Sequence, residues 1–353
     1  MTGKLWPRRL GVGGVVGLMC VAIAACGASE ESSEPTGSAS MKNSDIEIGF
    51  LIPQENQNAY SAAYAANVRE AARNAGVKLR ILNSNYTASV QQAQMKELIA
   101  KRVDGIVLWP GVAGTSLPML LAAEAAEIPV NISNSAVSEE EAPYYHTYTG
   151  TDDFTKGKKQ GELVAKNLNN RGNIMVVEGQ PGSGPAINIV KGLKAALAEV
   201  APGIKILGSQ PGNWQQAKAA TATANLLSRF GGKVDAVVAS DDVMAAGSAQ
   251  AIKSAGVQDE VELFGMGYYT MTPPLLESGA QTATLFQSPC WDGVVALKAM
   301  IGVVKGEDVP EEIIMPVPEV EKGTDFEPNG CFPGITPESM QELSWPEVSP
   351  ENL

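Results

Sequence analysis

The sequence predicts an α/β protein built from two doubly wound lobes, and three observations indicate this. Short runs rich in Val, Ile and Leu alternate with longer stretches of helical period from Asp45 onward. The apolar runs are nearly continuous, which is typical of strands buried on both faces of a parallel sheet. So many strands in one open sheet would be unusual, and the regular alternation pauses near residues 133–150. We therefore expect two similar lobes of repeated β-α-β units.

The expected strands and helices follow one another at short intervals. A helical stripe of apolar residues begins at Tyr60 and ends before Gly76, and a second stripe runs from Met95 to Val103. Ligands of doubly wound sheets lie beyond the carboxyl ends of the strands, so two facing lobes would form a cleft there. The expected strands are IEIGFLIP (46–53), VKLRIL (77–82), DGIVLWP (104–110), IPVNIS (128–133), NIMVVEG (173–179), IKILGS (204–209), VDAVVAS (234–240), VELFGMG (261–267) and QTATLFQ (281–287).

The start of the chain is typical of a secretory leader followed by a tether. Three basic residues precede an apolar run over residues 11–25, which is shorter than the ~20 residues of a membrane span. The run ends in Ile-Ala-Ala-Cys26, which resembles the bacterial lipobox, whose cysteine is lipidated and becomes the first residue after cleavage. A leader that ends in a buried cysteine is the alternative. We expect a signal peptide over 1–25 and a flexible, lipid-anchored tether over 26–44, where Ser, Glu, Gly and Pro predominate.

The charge of the chain excludes one class of partner. The formal net charge is −13 at pH 7, and loss of the basic leader would make the remaining chain more acidic still. Nucleic-acid phosphates require a basic surface, so we expect no nucleic-acid partner. The chain after the leader is long enough for one large or two medium domains.

The residues capable of chemistry favour a binding protein over an enzyme. His146 is the single histidine and has neither metal-ligand spacing nor an assignable catalytic partner, so we expect no catalytic residue, no metal and no cofactor. The Gly-rich GQPGSG (179–184) lacks the Gly-Lys-Ser/Thr ending of a nucleotide-binding loop. Beyond the leader and Cys26, Cys290 and Cys331 remain. In an oxidising compartment these two are expected to form a disulfide, with two free thiols as the alternative.

Five stretches of the chain carry a resemblance to a known family. They are KRVDGIVLWP, AAEAAEIPVNISNS, YTGTDDFTKGKKQGELVAKNL, VASDDVMAAGSAQAIKSAG and ATLFQSPCWDGVVALKAM. In this order they resemble the type I periplasmic binding proteins of the ribose-binding group, the solute receptors of bacterial ABC importers. The resemblance runs from about Asp45 to about Val320 and implies two Rossmann-like lobes joined by a multi-strand hinge. It implies an N-terminal lobe of 45–133 plus 288–310, a C-terminal lobe of 134–287 plus 311–335, and a tail of 336–353.

The resemblance also implies which strand-end residues face the ligand. In the family, aromatic rings sandwich a sugar while amide and charged side chains bind its hydroxyls. Several family positions differ here: Asn134 and Ser135 replace an Asp-Arg pair, Ile187 replaces an arginine, and Gly267 followed by Tyr268 replaces an aspartate. The cleft is therefore expected to be less charged and more aromatic than a pentose or hexose site. The expected ligand-binding residues are Asn58, Tyr60, Ser61, Trp109, Asn134, Ser135, Trp214, Asp241, Tyr268 and Gln287.

Two of these assignments have alternatives. Trp109 is either a cleft residue or a packing residue near the hinge. Asp241 either faces the ligand, with Asp242 as the N-cap of the following helix, or is itself that N-cap. Trp291 lies near the start of an expected helix and is assigned to the core instead of the cleft.

The function implied by the resemblance is capture of a small solute outside the cell membrane. The expected protein is a lipid-anchored monomer that closes on a neutral monosaccharide or sugar alcohol and presents it to an ABC permease with its ATPase subunit. One alternative is a cationic or amphipathic ligand held by Asp241 among aromatic rings. Another is a receptor that signals to a membrane sensor protein. Sugar-responsive repressors share the fold but begin with a basic helix-turn-helix module, where this chain has a leader and an acidic tether.

Overall fold

Parallel strands alternate with helices along the chain, as the sequence predicts. The structure is a computed structural model that describes residues 41–331 together with residues 336, 339 and 342. The strands are β1 (Glu47–Ile52), β2 (Lys78–Asn83), β3 (Gly105–Leu108), β4 (Val130–Ser133), β5 (Tyr148–Gly150), β6 (Arg171–Glu178), β7 (Gly203–Pro211), β8 (Ala236–Ala239), β9 (Glu262–Phe264), β10 (Thr284–Leu285), β11 (Glu312–Ile314) and β12 (Glu319–Val320). The α-helices are α1 (Ala59–Ala75), α2 (Ala88–Lys101), α3 (Leu117–Ala125), α4 (Asp153–Asn167), α5 (Gly184–Val200), α6 (Gln216–Phe230), α7 (Asp242–Ala255), α8 (Thr272–Ser278) and α9 (Pro289–Lys305).

Two parallel sheets organise the described part of the chain into two lobes. The first has six strands in the order β11-β5-β4-β3-β1-β2, and the second has four in the order β7-β6-β8-β9. Phe50 of β1 pairs with Ile81 on one side and with Val107 on the other, and both Phe50 and Val107 are fully buried. Such strands are apolar on both faces because helices cover both faces of the sheet. A short antiparallel ribbon of β10 and β12 accompanies the two sheets.

Two strands of the first sheet differ from the expectation. β5 and β11 lie inside the ranges 134–287 and 311–335, which the sequence assigns to the C-terminal lobe, yet β11 pairs with β5 and β5 pairs with β4 of the first sheet. Each of the two strands has three residues, and neither forms an apolar run long enough to predict a strand. β5 therefore extends the first sheet where the sequence indicates only a pause in the alternation, and β11 completes the edge of that sheet after α9.

Helices α1 and α9 pack together against the first sheet. α1 begins at its N-cap Asn58, whose side chain accepts a hydrogen bond from the Ser61 N–H at 2.9 Å, and it ends at Gly76 in the left-handed conformation with φ 71°. Its expected apolar stripe is buried against the core. α9 is buried around most of its circumference, and Trp291 in its first turn lies in the core, as the sequence indicates.

A disulfide links Cys290 in α9 to Cys331 beyond β12, with the two Cα atoms 4.9 Å apart. That separation is within the range that a disulfide spans. The leader and the lipidation candidate Cys26 lie outside the described residues. Within the part of the chain that the structure describes, no helix is both long and apolar enough to cross a bilayer.

Candidate functional site

A cleft lies at the carboxyl ends of the strands of both sheets. The cleft contains about 520 Å³ of space that protein atoms do not fill, including open solvent at its mouth. Most of its lining residues lie in the loops that follow strands, as the strand-end rule for doubly wound sheets predicts. The lining residues are Gln54, Asn58, Tyr60, Tyr86, Trp109, Pro110, Asn134, Lys156, Ser183, Pro185, Ile189, Trp214, Ser240, Asp241, Tyr269 and Gln287.

Aromatic rings form the first-lobe wall of the cleft. The Tyr60 ring meets the Trp109 ring edge to face, with centroids 5.9 Å apart, and lies 6.2 Å from the Tyr269 ring of the other lobe. Trp109 also packs on Tyr64, with centroids 5.1 Å apart. The two alternatives for Trp109 are thus both realised, because the side chain lines the cleft and packs on α1.

Trp214 forms an aromatic wall on the second lobe. Its backbone has φ 59°, and its side chain is 8% exposed. The indole lies directly over Gly179, where a Cβ atom would overlap the ring. A side chain at position 179 would therefore displace Trp214 from the cleft.

Asp241 and Asp242 divide their roles differently from the expectation. Asp241 lines the cleft and is also the N-cap of α7, since its Oδ1 accepts from the Met244 N–H at 2.7 Å. The hypothesis that Asp242 would be the cap is therefore wrong. Asp242 is fully buried and accepts hydrogen bonds inside the lobe. Burial raises the pKa of Asp241 to about 7, an effect that the Met244 N–H partly offsets.

Tyr269, and not Tyr268, lines this side of the cleft. Tyr268 has φ 62°, and its ring packs on Phe286 and Phe326, with centroids 6.2 and 6.4 Å away. The turn places the next side chain, Tyr269, at the cleft. Gly267 has φ 130°, and a Cβ there would overlap the Tyr269 ring. The space beside Gly267 that a side chain would occupy is therefore filled by the Tyr269 ring.

Ser61, Ser135 and Ile187 are not among the residues that line the cleft. Ser61 lies in the first turn of α1 and hydrogen-bonds Asn58. Ser135 is buried near Gly184, where a Cβ atom would come within 2.7 Å of the Ser135 Oγ. Ile187 is 39% exposed on the outer face of α5. Positions 185 and 189 of α5 share the cleft face because they are four residues apart, whereas position 187 points away from them.

The part of the cleft around Lys156 and Asn134 is more charged than the sequence predicts. Lys156 of α4 lines the cleft and forms a buried ion pair with Asp153, at 2.8 Å between Nζ and Oδ1. Behind the lining residues, the Asp292 carboxylate accepts from Asn134 Nδ2 at 2.6 Å and from the Tyr60 hydroxyl. Burial raises the pKa of Asp292 to about 6, and these hydrogen bonds oppose that rise.

Sequence reasoning missed several residues of the cleft for identifiable reasons. Lys156, which lines the cleft, and Asp292, which lies behind the lining, are both within helices, so the strand-end rule does not indicate them. Ser240 directly follows β8, and its position was the signal that could have identified it. The other lining residues that the prediction did not include are Gln54, Tyr86, Pro110, Ser183, Pro185, Ile189 and Tyr269.

Comparison with known proteins identifies relatives along most of the chain. Residues 48–308 match the family model described as a periplasmic binding protein domain. A xylitol-binding protein from Mycolicibacterium smegmatis is 28% identical over 319 residues, which cover 89% of this chain and 86% of that protein.

Solved structures share the architecture. An ABC transporter solute-binding protein from Bacillus halodurans with bound myo-inositol has a TM-score of 0.73 at 25% identity, covering 87% of this chain and 98% of that chain. The arabinose transporter component from Shewanella sp. ANA-3, bound to arabinofuranose, has a TM-score of 0.74 at 24% identity, covering 78% of this chain and 91% of its own. The two-lobed fold is therefore common to all three chains.

Proposed function

The chain belongs to the periplasmic binding protein family, and on that premise we propose that it captures a small neutral polyhydroxylated ligand, a monosaccharide or sugar alcohol, for an ABC importer. One observation carries the proposal: aromatic rings and hydrogen-bonding amides converge on a single cleft at the strand ends of both lobes. In this proposal the protein acts outside the cell membrane and delivers the ligand to a permease that is driven by its ATPase subunit.

The chemistry of the lining residues suits a polyol. The C–H faces of a sugar or polyol stack on rings such as Tyr60 and Trp214, and each hydroxyl that leaves water needs a new partner. Asn58, Gln287 and Asp241 supply such partners, since amides donate and accept and a carboxylate accepts. The likeness to a xylitol-binding protein over most of this chain supports the same ligand class.

A contact across the cleft supports closure of the lobes around the ligand. The Ala113 N–H, in the segment after β3 of the first lobe, donates to the carbonyl oxygen of Gly182, after β6 of the second, at 2.9 Å. A ligand that touches both lobes stabilises the state in which such contacts form, and so shifts the population toward the closed form. The permease would recognise that form.

A panel of compounds tests the ligand class. Xylitol, myo-inositol, ribose and arabinose are added to the purified protein, with choline and putrescine as cations, and Tm is measured for each mixture. A ligand at 100 times its Kd stabilises the folded state by about 2.7 kcal/mol, enough to raise Tm by roughly 4 °C. We expect at least one neutral compound to do this and neither cation to do so. The reverse pattern contradicts the proposal.

A cationic ligand is the second candidate, and Asp241 is the observation that favours it. The pKa of Asp241 is about 7, so this buried carboxyl loses its proton between pH 6 and pH 8. A cation would then bind more tightly by about 10-fold as the pH rises, whereas a neutral polyol would change by less than about 3-fold. Lys156 also lines the cleft, and its buried ammonium disfavours a cation there.

Asp241→Asn provides the matched test of that distinction. We expect the variant to bind a neutral polyol only modestly more weakly, whereas binding of a cation would be nearly abolished. Because its folded-state pKa is raised, Asp241 costs the wild type stability as the pH rises from about 4 to about 7, and Asn should remove that cost. Urea unfolding at pH 5 and at pH 8 measures it: a pH dependence that is the same in both proteins contradicts the assignment.

We propose that Cys26 carries the lipid anchor. A diacylglycerol on the cysteine carries two acyl chains, which are sufficient for stable membrane attachment. Cys26→Ser is expected to move the protein from the membrane fraction to the soluble fraction, measured by immunoblot after cell fractionation. Cys20→Ser is the control, since Cys20 lies within the leader. Retention of the Cys26→Ser protein in the membrane fraction contradicts the anchor.

A further inference from the structure

Lys156 lines the cleft, and three protein oxygens surround its ammonium group. Its ammonium is 2.8 Å from Asp153 Oδ1, 3.0 Å from Thr151 Oγ1 and 3.0 Å from Gln287 Oε1, and the side chain is 3% exposed. An ammonium has three hydrogens, so these three acceptors use all of them. Lys156 therefore lines the cleft without a hydrogen left for a ligand.

The contact with Lys156 determines which way the Gln287 amide faces. A lysine can only donate, so the amide oxygen of Gln287 must face it and the amide nitrogen must face the other way. Accordingly, Gln287 Nε2 donates to the Tyr60 hydroxyl oxygen at 3.1 Å. One of the two amide hydrogens is used in that bond, and one remains.

The hydrogen bonds in the first lobe donate in the same direction, away from Lys156. Asn134 Nδ2 donates to the Tyr60 hydroxyl oxygen at 2.7 Å and to Asp292 Oδ2 at 2.6 Å, which uses both of its hydrogens. The Tyr60 hydroxyl donates to Asp292 Oδ2. A chain of hydrogen bonds thus runs from the Lys156 ammonium on α4 to the Asp292 carboxyl on α9, and every bond in it donates toward Asp292.

We propose that Lys156 is a positioning residue that fixes which atoms Gln287 and Asn134 offer to a ligand in the cleft. Gln287 offers its remaining amide hydrogen, and Asn134, whose nitrogen is committed, offers its carbonyl oxygen. A hydroxyl satisfies both because it accepts and donates at once, whereas an O-methylated or deoxygenated carbon does not. The ligand class selected at this point is one with a free hydroxyl, an inference that rests on the proposed function.

A double variant, Lys156→Met with Asp153→Asn, tests the positioning role. It removes both charges of the buried pair together, so no unpaired buried charge is left to unfold the lobe. The protein is labelled with ¹⁵N in glutamine, and exchange of the Gln287 side-chain amide hydrogens is measured by NMR. Because Gln287 loses its charged donor, we expect this exchange to be at least about 10-fold faster in the variant.

Gln160 provides a control within the same spectra. It lies on α4 with Lys156, but its Nε2 donates to the backbone oxygens of Ala239 at 2.8 Å and Gly265 at 3.1 Å. Its exchange should not change in the variant. Faster exchange at Gln287 alone supports the proposal, whereas unchanged exchange at Gln287, or equal acceleration at both amides, overturns it.

Calorimetric titration with xylitol as the probe adds a binding readout. We expect the Kd for xylitol to be at least about 10-fold higher in the double variant, since a Gln287 amide that rotates presents the wrong atom part of the time. An equal Kd in the two proteins overturns the link to specificity. Wild-type protein that binds no polyol counts against the proposed function, while the exchange experiment still decides the positioning role of Lys156.

Discussion

Asp242→Ala is expected to lower the free energy of unfolding by more than about 4 kcal/mol. The Asp242 carboxylate is fully buried and accepts from four groups: the Tyr268 N–H at 2.8 Å, Thr272 Oγ1 at 2.9 Å, Gln281 Nε2 at 2.7 Å and Thr284 Oγ1 at 2.9 Å. Alanine leaves these donors buried without an acceptor, and each costs about 1–3 kcal/mol. Urea unfolding followed by circular dichroism measures the loss.

Two control variants identify the cause of that loss. Asp242→Asn keeps the shape of the side chain and one acceptor oxygen, so we expect the free energy of unfolding to fall by only about 1–3 kcal/mol. Asp259→Ala removes a carboxylate from an exposed position, and its effect should be within about 0.5 kcal/mol. A loss below 1 kcal/mol for Asp242→Ala contradicts the hydrogen-bond account. Because Asp242 holds the Tyr268 backbone, it also positions Tyr269 in the cleft.

Trp214→Ala is expected to raise the Kd for the neutral ligand by about 100-fold. The indole forms the second-lobe wall of the cleft, and buried aromatic residues at the centre of a binding site typically contribute 2 kcal/mol or more. Trp214→Phe keeps a smaller ring, and we expect a loss of about 10-fold. Calorimetric titration with the compound that gives the largest rise in Tm measures both values.

Trp291→Phe is the matched control for a tryptophan outside the cleft. Trp291 is fully buried in α9 and is absent from the cleft lining, so its substitution should lower stability and leave the Kd within about 3-fold of wild type. If Trp214→Ala also leaves the Kd within 3-fold, the aromatic wall has no role in binding.

The strands were predictable where each consists of a continuous run of apolar residues. β1, β3 and β8 are short strands buried on both faces, and their Val, Ile and Leu runs indicate them directly. β5 and β11 have three residues each and are held by their neighbours in the sheet, a tertiary effect that local sequence does not carry. The sequence therefore indicates the return of residues 288–310 to the first lobe, but not the two short strands β5 and β11 of its sheet.

The cleft residues that follow strands were predictable from the sequence. Asn58, Trp109 and Trp214 follow strands and lie at the cleft, as expected. Tyr268 and Tyr269 are adjacent in sequence, and only the left-handed backbone of Tyr268 decides which ring faces the cleft. Lys156 could not be identified, since its position depends on how α4 packs and on acceptors that are distant in sequence.

One calorimetric titration decides whether the cleft binds a neutral polyhydroxylated compound. Purified wild-type protein and Trp214→Ala are titrated at pH 7 with xylitol, myo-inositol, ribose and arabinose, and with choline and putrescine. We expect at least one neutral compound to bind the wild type saturably and one-to-one. The same compound should bind Trp214→Ala much more weakly or not at all. Binding of a cation together with no heat from any neutral compound would contradict this expectation.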